Sequence, residues 1–184
     1  MLLGRLVPLA VLVAVGAALV ATTSPGAATQ DGREGPAPEL VFDDDDADGA
    51  VDRLSLLRGN PVLLCFLDTR ESTTDEADNP DLSRRLLVFI ESMQQQYSRL
   101  GLTIAVVDAA SVGVDAPDLL ANFRFDHGLA DTPFSSGAAA RRAMHEFAVR
   151  SVPTTFLIDR RGRITSRWEG LVPPSTLASA ITAE

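Results

Sequence analysis

The chain has 184 residues and 25 acidic against 16 basic side chains, a formal charge of −9 at pH 7. That balance argues against nucleic acid and anionic membrane surfaces as partners, since both reward a basic face. Its single cysteine, Cys65, excludes a disulfide within the chain, so the fold must hold by its core.

Arg5, the apolar run Leu6 to Val20 and the small residues Gly26, Ala27 and Ala28 have the layout of a signal peptide cleaved after Ala28. The apolar core, about 15 residues, is shorter than the ~20 a spanning helix needs, although an uncleaved anchor stays open. Residues 29 to 38, TQDGREGPAP, lack periodicity and are rich in Gly and Pro, which predicts a flexible tether. One domain over residues 39 to 184 follows, large enough to bury a core without a staple.

Glu39 to Phe42 and Ala50 to Leu54 flank an acidic turn and predict a hairpin closed at Asp48-Gly49. After a turn at Leu56 to Asn60, the continuous apolar run Pro61 to Leu67 predicts a central strand covered on both faces. Asn79-Pro80-Asp81 caps a long amphipathic helix ending near Leu100-Gly101, and Leu102 to Asp108 is a second buried strand, parallel to the first. Further helices are predicted from Asp115 to about Phe125 and from Ser135-Ser136 through Phe147. SVPTTFLID and ITSRWEG read as an antiparallel hairpin with a two-residue type of turn centred on Arg161-Gly162, followed by a short helix from Pro173 to Ala183.

Four stretches of residues 37 to 183 resemble the redoxin branch of the thioredoxin-like superfamily. These are PAPELVF with LSLLRGNPVLLCF, then LTIAVVD, FAVRSVPTTFLIDRRGRI and LVPPSTLASAI. The relatives in that branch are exported thiol-disulfide reductases of the cytochrome-maturation type and alkyl hydroperoxide reductase/thiol-specific antioxidant proteins. The resemblance implies an α/β thioredoxin-like fold, a central mixed sheet flanked by helices, with an N-terminal β-hairpin. It also implies a cis bond at Val152-Pro153 and a groove in which Val152, Pro153 and Thr154 offer backbone groups to an extended substrate or partner.

In that branch the central strand leads into Cys-x-x-Cys at the start of the long helix, where the helix N-terminus lowers a thiol pKa and the thiolate attacks a disulfide. Here the corresponding positions are Glu71, Ser72, Thr73 and Thr74, or Ser72 to Asp75 in the frame shifted by one. Neither frame holds a cysteine, and the hydroxyls have no visible general base nearby. Thr73-x-x-Glu76 instead fits a capping box, with Glu71 and Asp75 placed where the helix dipole favours negative charge; the other reading of these acids and hydroxyls is a metal or polar-ligand site. Cys65 lies upstream of the nucleophile position inside the apolar run, which predicts a buried thiol with a raised pKa.

Asp44-x-Asp46-x-Asp48-Gly49, with Asp52, matches the first half of a calcium loop, but Ser55 stands where a bidentate Glu is needed. A weak calcium site and a plain acidic hairpin tip both remain open. His127 and His145 lack a second ligand at zinc spacing and read as surface groups, Trp168 as packing, and Arg160-Arg161 as a solvated hairpin tip.

These features give three functional readings. The first is an exported, non-catalytic protein-binding or scaffold module that uses the cis-proline groove. The second is a thiol-disulfide oxidoreductase or antioxidant protein acting through Cys65 and a partner's thiol. The third is a weak calcium-binding module at Asp44 to Asp52. The expected setting is secreted or cell envelope, with no cofactor, no nucleic acid, an unidentified protein partner, and a membrane role only with the N-terminal segment kept.

Overall fold

The computed structural model describes residues 29–30, 35–43, 53–69, 82–110, 122, 124–126 and 128–183. Outside this set lie the signal segment, the acidic loop from Asp44 to Asp52, the Glu71 to Thr74 positions, His127 and most of the helix expected from Asp115.

Strand β3 (Val62–Leu67) is buried along its whole length, as a continuous apolar run requires of a central strand. It pairs in parallel with β4 (Thr103–Asp108), and the helix α1 (Leu82–Tyr97) lies between them in the chain. On its other side β3 pairs antiparallel with β6 (Thr154–Ile158), which turns into β7 (Arg163–Glu169). Including β1 (Thr29–Gln30), β2 (Gly35–Pro36) and β5 (Phe134–Ser135), the sheet order is β1-β7-β6-β3-β4-β5, with β2 also on β7.

The two-residue period of the strands divides the core. Leu63, Cys65 and Leu67 face α1 and the last helix, α3 (Pro174–Thr182), through Ile90, Met93, Tyr97, Leu177 and Ile181. Val62, Leu64 and Phe66 face α2 (Gly137–Glu146) through Ala140, Ala143 and the following Phe147.

Several expectations are corrected. Residues 29 to 38 do not form a free tether throughout: Thr29–Gln30 and Gly35–Pro36 add to the edge of β7, which would otherwise present open N–H and C=O groups. From there the chain crosses the α2 face of the sheet, tied at one end by Ala37 N–H to Gly162 O (2.9 Å) and at the other by Asp43 N–H to Phe134 O (2.7 Å). Leu40 and Phe42 are buried beneath this strap.

The expected N-terminal hairpin is met, among the described residues, by an antiparallel bridge between Val41 and Arg53, with Leu54 N–H donating to Leu40 O at 2.9 Å. Leu54–Leu57 coils into a 3-10 turn instead of continuing a strand, because that turn puts both Leu54 and Leu57 into the core. Ser135 belongs to β5 rather than to a helix cap, and Ser136, next to α2, makes no side-chain capping bond.

Between β6 and β7, Asp159 and Arg163 close a three-residue loop, Arg160 to Gly162, rather than a two-residue turn. Gly162 N–H bonds Asp159 O, Asp159 N–H bonds Arg163 O, and Gly162 takes φ 79°.

Candidate functional site

The parallel strands β3 and β4 end side by side, with Leu67 opposite Asp108. β6 begins at Thr154, opposite Phe66, so the loop that feeds it arrives at the same end of the sheet. Crevices at the carboxyl ends of strands are where open α/β sheets bind ligands.

The feeding loop is held on both sides. The Val152–Pro153 peptide bond is cis, Pro153 O accepts Gly170 N–H at 2.8 Å, and the Thr154 hydroxyl donates to Ser151 O at 2.7 Å. Val152 is half-buried at the surface, whereas Pro153 and Thr154 are buried.

Asp108 is 1% exposed, and its Oδ1 accepts the N–H groups of Thr69 (3.2 Å) and Ala110 (2.9 Å). With Ala109 N–H donating to Leu67 O at 2.7 Å, this carboxylate pins the chain leaving β3 to the chain leaving β4. In the sequence Asp108 is the single acid closing an apolar run, a signal that the reading of motifs passed over.

Arg167 is the second feature that motif reading missed. It is 4% exposed on β7, lies over the Phe156 ring at 5.6 Å, and donates to Ala148 O (3.1 Å) and to Glu169 Oε1 (2.6 Å). Phe156 meets Phe66 and Phe147 with ring centroids 5.6 and 5.2 Å apart, giving the loop a stiff aromatic floor. Ala148, whose carbonyl Arg167 holds, adopts the left-handed conformation at φ 51° just after α2.

Cys65 is fully buried two residues inside β3, facing Thr155 across the ladder. Burial pushes its thiol up to about 12, and the Thr155 hydroxyl opposes this only in part. A group so placed is protonated at neutral pH and has no open path to a substrate.

The structure therefore brings Val152, Pro153 and Thr154 to the same end as Asp108 and keeps Cys65 beneath the surface. The Glu71 to Thr74 positions and the calcium candidates Asp44, Asp46, Asp48 and Asp52 lie outside the described residues. Ser55 sits in the 3-10 turn, where its N–H donates to Glu39 Oε1 at 3.0 Å. Among the described residues no group of three or more His, Cys, Asp or Glu side chains could hold a metal. His145 is exposed on α2, and Trp168 is core at 2% exposure.

Solved structures share the fold. A thiol:disulfide interchange protein of the thioredoxin family from Chlorobium tepidum superposes with a TM-score of 0.61 at 19% identity, over 83% of this chain and 97% of its own. The fold is thioredoxin-like. The thioredoxin domain of a thiol-disulfide oxidoreductase from Bacteroides vulgatus matches this thioredoxin-like chain with a TM-score of 0.61 at 14% identity, covering 80% of this chain and 96% of that one. The exposed lipoprotein thioredoxin of Streptococcus pneumoniae gives 0.53 at 18% identity, over 79% and 98%. No protein-family model and no curated protein matches the chain. At these identities the likeness concerns the thioredoxin-like fold alone. Among the described residues, no helix is long and apolar enough to cross a membrane.

Proposed function

We propose that this is an exported thioredoxin-like domain without dithiol chemistry, which binds an extended segment of a partner protein at the Val152–Pro153 end. The observation that carries the reading is the state of Cys65: the sequence has one cysteine, and it is buried with its thiol pushed up to about 12. Exchange requires a thiolate within reach of the disulfide, and an intramolecular dithiol requires two sulfurs. Export is supported by the Arg5 to Ala28 layout.

The binding end is well suited to an extended backbone. Its loop is tied by Gly170 and Ser151, Asp108 fixes the neighbouring chain exits, and little rearrangement is needed on association.

A photo-crosslinking amino acid at Val152 in the exported chain tests this. The expected result is a discrete adduct to a partner, absent when the crosslinker stands at exposed Ser179 on α3. Equal labelling from both positions, or disulfide reductase activity of the purified chain that alkylating Cys65 abolishes, contradicts the proposal.

A further inference from the structure

The loop from Ala148 to Pro153, which presents Val152, is tied at both ends to one strand and its exit. Gly170, just past β7, donates its N–H to Pro153 O at 2.8 Å, and Arg167 Nη2, on β7, donates to Ala148 O at 3.1 Å. Between these ties Val149 is buried and Ser151 O accepts the Thr154 hydroxyl, whereas the Arg150 and Ser151 side chains are exposed. The tie at Ala148 differs in kind from the one at Pro153. Ala148 stands at φ 51°, a left-handed conformation that a residue with a β-carbon resists, so the direction of its carbonyl is held from outside the loop. What holds it is a side chain only 4% exposed, packed over the Phe156 ring, whose Nη2 also donates to Glu169 Oε1 at 2.6 Å.

We propose that Arg167 is a positioning residue for partner binding: by holding Ala148 O it fixes the direction in which the chain enters Arg150 to Val152, a role that rests on the binding proposed for the Val152–Pro153 end. A loop already set in place loses less freedom when an extended segment associates with it. Stability alone does not call for a guanidinium here. A buried ion pair is often replaced by an apolar side chain of similar volume without loss. Phe156, with Phe66 and Phe147 beside it, offers methionine apolar neighbours, and the Glu169 side chain, 42% exposed, keeps its contact with water when Arg167 is removed. What methionine cannot supply is a donor to Ala148 O. Lysine supplies a donor but not the planar group that lies over Phe156 while reaching that carbonyl. Without the donor, Ala148 is free to leave the left-handed region, and the Val149 N–H, which closes α2 on Met144 O at 2.8 Å, opens with it.

The test compares the full chain with its Arg167→Met and Arg167→Lys variants by amide hydrogen exchange, followed residue by residue. In Arg167→Met the Val149 amide is expected to exchange about ten- to a hundredfold faster, as the loss of one hydrogen bond to a charged group allows, while the amides of β3 and the urea midpoint stay as in the native chain. Arg167→Lys falls between the two. The photo-crosslinking amino acid at Val152 then reads the consequence for binding. Its adduct is expected to fall about tenfold or more in Arg167→Met and to recover in part in Arg167→Lys, whereas Arg141→Met on the exposed side of α2 leaves it unchanged. An unchanged Val149 amide, equal acceleration of Val149 and β3, or a lysine variant no different from methionine overturns the positioning role. So does an adduct undiminished in Arg167→Met, although partner binding itself then stands. No adduct from the native chain, with Val149 still accelerated in Arg167→Met, removes the partner binding and the positioning role together and leaves Arg167 as a clamp of the fold.

Discussion

Cys65 faces Thr155 across the β3–β6 ladder within an apolar layer, and its proton is held at pH values where an exposed thiol ionises. The unfolded thiol titrates near 8.5, the folded one near 12, so between these values the unfolded chain binds fewer protons than the folded one. The stabilisation is complete below about pH 8.5 and is lost as pH rises toward 12, by about 1.4 kcal/mol per pH unit. Urea unfolding of the native chain and of Cys65→Ala across this range checks the sign: the variant is expected to show the shallower decline, and equal slopes contradict it. Ala148 makes a second residue-scale case. Its N–H and that of Val149 close the end of α2 on His145 O and Met144 O, in a geometry that places residue 148 at positive φ. Ala148→Gly is expected to stabilise the fold by about 1 kcal/mol in the same urea assay, while retaining the carbonyl that Arg167 holds. A loss of stability would show that the methyl group contributes packing that outweighs the backbone strain.

The strap from Gly35 to Asp43 covers the α2 face of the sheet and meets the core mainly through Leu40 and Phe42. Phe42→Ala is expected to cost about 3–5 kcal/mol, as large core truncations do, whereas Val41→Ser on the exposed side changes stability by less than about 1 kcal/mol. Equal effects of the two, read by urea denaturation, would show that the strap does not rest on the sheet. Gly162 carries the β6–β7 loop at φ 79° with Arg58 packed against it, so Gly162→Ala is expected to cost about 1–2 kcal/mol. The strands β3, β4, β6 and β7 and the helices α1 and α3 were legible because each repeats its apolar signal over several residues. The role of residues 29 to 38 was not: Gly and Pro content reports local stiffness, while the β7 edge that captures Thr29–Gln30 and Gly35–Pro36 lies more than a hundred residues away in the chain. Phe134–Ser135 escaped notice for a similar reason, since two residues carry no period and only pairing with β4 makes them a strand.

For the molecule as a whole, the thioredoxin-like fold could be read from the order of elements and from four short motifs. The candidate site could be read only in part. The burial of Cys65 follows from local pattern, and the place of Val152–Pro153 from the resemblance. Asp108 binding Thr69, and Arg167 binding Ala148 O, join residues 39 and 19 positions apart and emerge only with the tertiary fold. The proposed function rests on a protected thiol beneath the Val152–Pro153 end. Its most direct test is the alkylation rate of Cys65 in the folded full chain across pH, set against the urea-unfolded chain. No labelling is expected until the chain unfolds, with the unfolded midpoint near that of an ordinary thiol. Fast labelling of the folded chain with a midpoint shifted to acid pH would make Cys65 a reactive thiolate and the protein a redox enzyme.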